Sequence, residues 1–184
     1  DFDFNAYVRA LTEFCNEDLS AFFFDIRKDC LYCDAPSDPR RRAYRTVLDT
    51  LFHALVRYAA PVLVYTAEEV WGTRYPDGGQ GTNNSVHLLE WPVIPAANAD
   101  PARWAALRAL RDRVNEAIEP LRREKTIRSG LEAMVSVPAD AVPPGFANAA
   151  LTELFITSTV KCSDSGEMEV ARTTHHKCGR CWRH

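Results

Sequence analysis

From Phe4 onward, apolar residues recur every three or four positions: Phe4, Val8, Leu11, Cys15, Leu19, Phe22, Ile26, Cys30 and Cys33. That spacing gathers them on one face and predicts a single long helix, about 45 Å at 1.5 Å per residue. The pattern breaks at "APSDPRR", where Ser37 or Asp38 can cap a second helix with Pro39 in its first turn. Val47, Leu48, Leu51, Phe52, Leu55, Val56 and Ala59 then form the buried stripe of that helix, which Pro61 interrupts. Thr66 is expected to cap a short third helix, "TAEEVW", with Glu69 completing a capping box. The turn formers of "YPDGGQGTNNS" predict a loop, and "VHLLEWP" (86–92) a short extended segment.

Past a linker, "PAANADPARW", Asp100 is placed to cap the next helix and Pro101 to open it. Trp104, Leu107, Leu110, Val114, Ile118 and Leu121 line one face of that helix, and Pro120 is expected to bend it. After Gly130 the period changes. "LEAMVSVPA" alternates like a strand, "GFANAALTELF" suits a short helix, and "FITSTVKCS" and "MEVARTTHH" suit strands. The expected architecture is mainly α, a helical bundle over residues 1–95, followed over 96–184 by a linking helix and a small α+β subdomain.

Composition adds little to this picture, and charge distribution adds more. The 184 residues are 46% hydrophobic and 26% charged, with a net charge of −3, which suits a folded domain and gives no global signal for nucleic acid. No apolar run is long enough to span a bilayer, so no membrane partner is expected. The first residues, DFDFNAYVRA, lack a Met start and do not resemble a secretion signal, so the chain is expected to be part of something longer. Residues 1–95 carry nine Lys/Arg against fourteen Asp/Glu, whereas 96–184 carry thirteen against eleven. After Glu169 no acid follows, while Arg172, Lys177, Arg180, Arg183 and three histidines crowd the end. Such a tail can contact a polyanion, although a solvated basic terminus has the same composition.

Six cysteines in a chain with a full complement of core residues and no secretion signal read as reduced thiols of a cytoplasmic protein. Two CxxC pairs occur, Cys30–Cys33 and Cys178–Cys181. The first continues the apolar stripe of the opening helix, where cysteine acts as a small hydrophobe. The second lies in a basic stretch with Gly179 to turn the chain, and it is the metal candidate; two thiolates are half of a closed zinc site. His175, His176 and His184 could add ligands. A redox pair is the rival reading, but it ordinarily opens a helix within a thioredoxin-like βαβ unit, of which the sequence gives no sign. Phosphate-cradling loops and the common hydrolase motifs are absent from the sequence. Glu68 and Glu69 need no role beyond capping and the helix dipole.

Three clusters suit nucleic acid. "RRRAYR", with Arg40 and Arg41, opens the second helix, and "RREKTIR", with Arg122, Arg123, Lys125 and Arg128, closes the helix before the α+β part. For both, the competing reading is a solvated helix face, which needs no partner to explain the charges. In "GRCWRH", Arg180 and Trp182 flank Cys181, and an indole with a guanidinium can hold an unstacked base between them. The competing role for Trp182 is a plug over the small subdomain's core.

"FFFDIRKDCLYCD" (22–34), "RRRAYRTVLDTLFHALVRYAAPVLVYTAEEVW" (40–71), "VHLLEWP", "KTIRSGLEAMVSV" (125–137) and "KCGRCW" (177–182) occur in that order. Together they closely resemble the C-terminal part of the bacterial isoleucyl-tRNA synthetases. The first two resemble the helical anticodon-binding domain of the class I enzymes for Ile, Val, Leu and Met; "LYCD", "IRSGLEA" and the terminal "KCGRCW" favour isoleucine. The resemblance implies a tRNA(Ile) partner and a longer, monomeric ligase that uses ATP and Mg²⁺ to join isoleucine to that tRNA. Its catalytic and editing domains would lie upstream, because their His and Lys signature motifs are not in these residues, and this part alone would be inactive. It also implies a four-cysteine zinc module of which Cys178 and Cys181 are two ligands and the rest lie beyond this chain. A tail with half its ligands is expected to be mobile over 172–184. The resemblance further assigns Arg180 and Trp182 to an anticodon base, and it weakens a Cys30–Cys33 metal site, since family members often carry Arg at the position of Cys30. Two other readings remain at this point: a sibling synthetase of the Val, Leu or Met type, and a helical interaction module with a structural or redox CxxC.

Overall fold

The computed structural model describes residues 2–77 and 85–184, so most of the loop expected over 75–85 lies outside the described residues. The chain forms two compact units, Asp1–Asp25 with Asp34–Ala97, and Ile26–Cys33 with Asn98–His184.

The long opening helix is present but not uniform. α1 (Phe4–Glu13) passes into a π-helical stretch (Phe14–Phe24) and then into α2 (Asp25–Cys33). The wider i→i+5 turns shift which side chains share a face, so a stripe read at 3.6 residues per turn holds only in part. Leu19, Ile26 and Cys30 are buried, as the spacing predicts, whereas Phe4 and Val8 remain exposed. Tyr7 turns inward instead, and its hydroxyl donates to the Tyr58 carbonyl at 2.5 Å. Burial, reinforced by the neighbouring Tyr58, raises the Tyr7 phenol above its ordinary value and keeps it a donor.

In the first unit α3 (Pro39–Ala59) begins as expected: Asp38 Oδ1 accepts from the Arg40 amide at 2.8 Å, with Pro39 in the first turn. It ends ahead of Pro61. The Val62 and Leu63 amides both fall back on the Ala59 carbonyl, so the chain re-enters a helix at once. α4 (Val64–Arg74) therefore starts two residues before Thr66, without a side-chain cap, and the expected capping box does not form. Glu68 has another task. Its Oε2 accepts from the Ser85 hydroxyl at 3.0 Å and the Val86 amide at 2.9 Å, seating Val86 against Val56, Ala60, Ala67 and Trp71. Ser85 in turn accepts from the His87 amide, so Val86–Leu88 is a 3₁₀ turn and not the extended segment expected there. Replacing Glu68 by Ala leaves the Val86 amide without its charged acceptor. We expect the unfolding free energy to fall by about 1–3 kcal/mol, read from the urea midpoint at unchanged slope.

In the second unit α5 (Pro101–Arg123) is capped by Asp100, whose Oδ1 accepts from the Ala102 and Arg103 amides. Leu107, Leu110, Val114 and Ile118 are buried along it, and the helix continues through Pro120 to Arg123. Trp104 stays at the surface edge, in edge-to-face contact with Phe146. The sheet has three strands in the order β2-β1-β3: β1 (Ala133–Pro138) in the centre, β2 (Thr159–Ser163) parallel to it and β3 (Glu169–Arg172) antiparallel. Ala133, Val135 and Val137 alternate into the core, and α6 (Asn148–Phe155) adds Leu151, Leu154 and Phe155. β1, α6 and β2 make a parallel βαβ crossover, of which the sequence gives no sign, because periodicity reports burial and not strand direction. Among the described residues no helix is long and apolar enough to cross a membrane.

Candidate nucleic-acid interface

The terminal CxxC forms a tight turn. The Trp182 amide donates to the Cys178 carbonyl at 3.0 Å, and the Cys178 amide donates to the Arg183 carbonyl at 2.7 Å. The Arg180 amide points at Cys178 Sγ, 3.5 Å away. Hydrogen bonds from the Cys181 backbone, then from the Arg180 backbone and the Cys181 thiol, hold the Cys178 thiol below its ordinary value, and the Arg180 charge adds to this. The thiolate therefore persists to lower pH than in a free thiol. Alkylation of Cys178 by iodoacetamide, followed by peptide mass spectrometry across a pH series, should reach half its maximal rate at a lower pH in the folded chain than in the same chain unfolded in urea. A folded-state midpoint at or above that of the unfolded chain would contradict the turn geometry.

Trp182 is in the left-handed region, φ 63°, a conformation uncommon for a bulky residue. That twist turns the indole outward, 64% exposed, so it is not a plug over the core. Lys177 Nζ sits 5.4 Å from the ring centroid, a cation–π contact with the ring. The segment expected to be mobile is tied down at its end. The Ser158 hydroxyl donates to the His184 carbonyl at 2.6 Å, and Arg183 reaches Asp29 Oδ2 and the Thr152 carbonyl at 3.0 and 3.3 Å.

The "RREKTIR" cluster also comes together. α5 closes with the Thr126 and Ile127 amides on the Leu121 carbonyl and the Lys125 amide on the Arg122 carbonyl, with Lys125 left-handed at φ 60°. The tight reversal folds Arg128 back toward the helix end. Arg122, Arg123, Lys125 and Arg128, with Glu119 and Ile127, line an open hollow of about 530 Å³. Glu119 braces Arg122 at 3.3 Å and Arg123 at 3.7 Å, and the arginine side chains are 53% and 79% exposed. Four cations against one carboxylate make a surface suited to phosphate oxygens.

The description of the anticodon-binding domain of tRNA ligases fits residues 1–137. The chain belongs to that family. The isoleucine–tRNA ligase of Zymomonas mobilis is 52% identical over 194 residues, covering 100% of this chain and 20% of that protein. Those of Gluconobacter oxydans and Agrobacterium fabrum are 46% and 42% identical, over 95% and 99% of the chain. The chain thus spans about a fifth of the length of the relatives it matches.

Not every expected residue of this anticodon-binding region points outward. Arg40 is exposed at the start of α3, but Arg41 turns back, its Nη1 donating to the Asp34 carbonyl at 3.4 Å. Cys30 is buried and Cys33 half-buried, as members of a helix stripe. Among the described residues no three His, Cys, Asp or Glu side chains are grouped to hold a metal, so His175, His176 and His184 are not gathered around Cys178 and Cys181 here. The CxxC follows β3 and lies outside the βαβ crossover, away from any helix start. Sequence reasoning passed over Asp29, Ser158 and Glu132; the first two hold the tail, and Glu132 accepts from the Arg128 amide at 3.3 Å. No sequence signal could have found Asp29, a helix carboxylate 154 residues from its partner.

Proposed function

We propose that this region reads the anticodon end of tRNA(Ile) for an isoleucine–tRNA ligase. The observation that carries the proposal is Trp182, held in a left-handed turn with most of its indole in solvent and Lys177 Nζ 5.4 Å from its ring. An exposed aromatic face supported by a stiff turn is suited to an unpaired base and serves no core. The basic hollow at Arg122, Arg123, Lys125 and Arg128 would take backbone phosphates, with Arg40 as a further contact. The names of the relatives and their match along the entire chain support isoleucine over other amino acids.

The region contributes recognition and orientation. Isoleucine, ATP and Mg²⁺ belong to the chemistry of the longer ligase, a monomer working in the cytoplasm. Zn²⁺ fits the Cys178–Cys181 turn in local geometry, with thiolate-favouring amides already in place. Among the described residues only these two donors are grouped there, so a closed site would need further ligands. Bound there, the ion would stiffen the turn that carries Trp182.

The test uses the full-length ligase and gel-shift titrations of tRNA(Ile) against the same tRNA with a replaced anticodon loop. Tighter binding of the natural loop, weakening steeply with salt, supports the proposal. Equal affinity for both would overturn it.

A further inference from the structure

We propose that Arg183 is a positioning residue, and that the Asp29–Arg183 pair latches the terminal turn so that Trp182 faces its base. The inference rests on the anticodon reading for its purpose but not for its geometry. Arg183 follows Trp182 directly, and its guanidinium joins two elements that the sequence keeps far apart. Nε donates to Asp29 Oδ2 on α2 at 3.0 Å, and Nη1 donates to the Thr152 carbonyl in the last turn of α6 at 3.3 Å. The paired side chains are only 20% and 26% exposed, so solvent screens them less than an open surface pair. The Thr152 carbonyl already accepts from the Ile156 and Thr157 amides that close α6, and it lies at the negative end of the helix, where a cation is favoured as a further donor. A planar guanidinium can serve both acceptors at once, and a lysine ammonium at this distance would favour one.

Arg183 also takes part through its backbone. Its carbonyl accepts from the Cys178 amide, so fixing Arg183 fixes the start of the CxxC turn as well as its end. The other side of the segment is anchored separately: the Thr173 amide donates to the Glu132 carbonyl, and Ser158 touches both Thr173 Oγ1 and the His184 carbonyl. α2 is itself held to α6 by Arg27 and Glu153 at 3.1 Å, so the latch closes on a fixed frame. Trp182 therefore takes its direction from a contact with residue 29, at the opposite end of the chain.

Amide hydrogen exchange on the 184-residue chain tests this directly. Arg183→Ala and Asp29→Ala should each speed exchange at the Cys178 and Trp182 amides by about tenfold or more. The Val135 amide, in the central strand, serves as the folding control and should not change. Combining the two substitutions should add nothing, because either one already opens the latch, and Arg183→Lys should fall between wild type and Arg183→Ala. Exchange within about twofold of wild type in both single variants, or fully multiplicative effects in the double, would overturn the proposal.

A second readout separates positioning from direct phosphate contact. In the full-length ligase Arg183→Ala should cut the preference for the natural anticodon loop as Trp182→Ala does, with the salt dependence unchanged. A salt slope reduced by about 1 would make Arg183 a phosphate contact and sink its positioning role. If the wild-type ligase shows no loop preference, the anticodon reading fails, and the exchange experiment still decides the latch.

Discussion

Replacing Arg122, Arg123, Lys125 and Arg128 together by alanine is expected to flatten the salt dependence of tRNA binding by about 3 in log–log slope. The four side chains line one hollow, so their removal subtracts a single block of phosphate contacts. The natural and the replaced anticodon loop should lose affinity alike, since phosphates carry no sequence. Little stability should be lost, because the side chains of the Glu119 pairs with Arg122 and Arg123 are 44% to 79% exposed, a setting in which ion pairs contribute little. Lys125→Ala leaves a side chain in the left-handed cap and keeps its strain; Lys125→Gly would relieve it. Fluorescence titrations of labelled tRNA at four or five salt concentrations, with urea unfolding as the control, measure both effects. An unchanged slope would remove the hollow from the interface.

Trp182→Ala should act in the opposite manner. Stacking on one base is worth about 1–3 kcal/mol, so affinity for the natural loop should fall about five- to 150-fold. The replaced loop should be affected far less, and the salt slope should stay the same, because no charge is lost. Trp182→Phe should keep part of the affinity through its smaller ring. Since the indole is largely in solvent, the thermal midpoint should hardly move, and a large drop would mean that it packs more than its exposure shows. Arg180→Ala should also lower the preference for the natural loop, and because it removes a cation its salt slope should fall as well. Between them, the two sets of variants divide affinity into a part that attaches RNA and a part that reads it.

What could be read from the sequence was what neighbours in sequence decide. Asp38 and Asp100 cap their helices as predicted because a cap is settled within three residues. The stripe from Leu107 to Ile118 is buried because its spacing alone selects a face. The basic hollow was legible for the same reason, since one helix end and one reversal bring its cations together. Thr66 misled because the turn after Pro61 depends on amides finding the Ala59 carbonyl, which restarts the helix early. Val86–Leu88 misled because Glu68 and Ser85 supply its hydrogen bonds from outside the segment or its edge. The parallel pairing of β1 with β2 and the reach of Arg183 to Asp29 are tertiary facts with no local trace. The indole of Trp182 is visible in the sequence, but its outward direction depends on a left-handed backbone that residue type alone does not announce.

The most direct measurement places a photoreactive benzophenone side chain at position 182 of the full-length ligase and maps its crosslink on bound tRNA(Ile). If Trp182 meets an anticodon base, a crosslink forms to a nucleotide of the anticodon loop and is lost when that loop is cut away. Crosslinking confined to the acceptor arm, or none while the tRNA is shown to be bound, would contradict it.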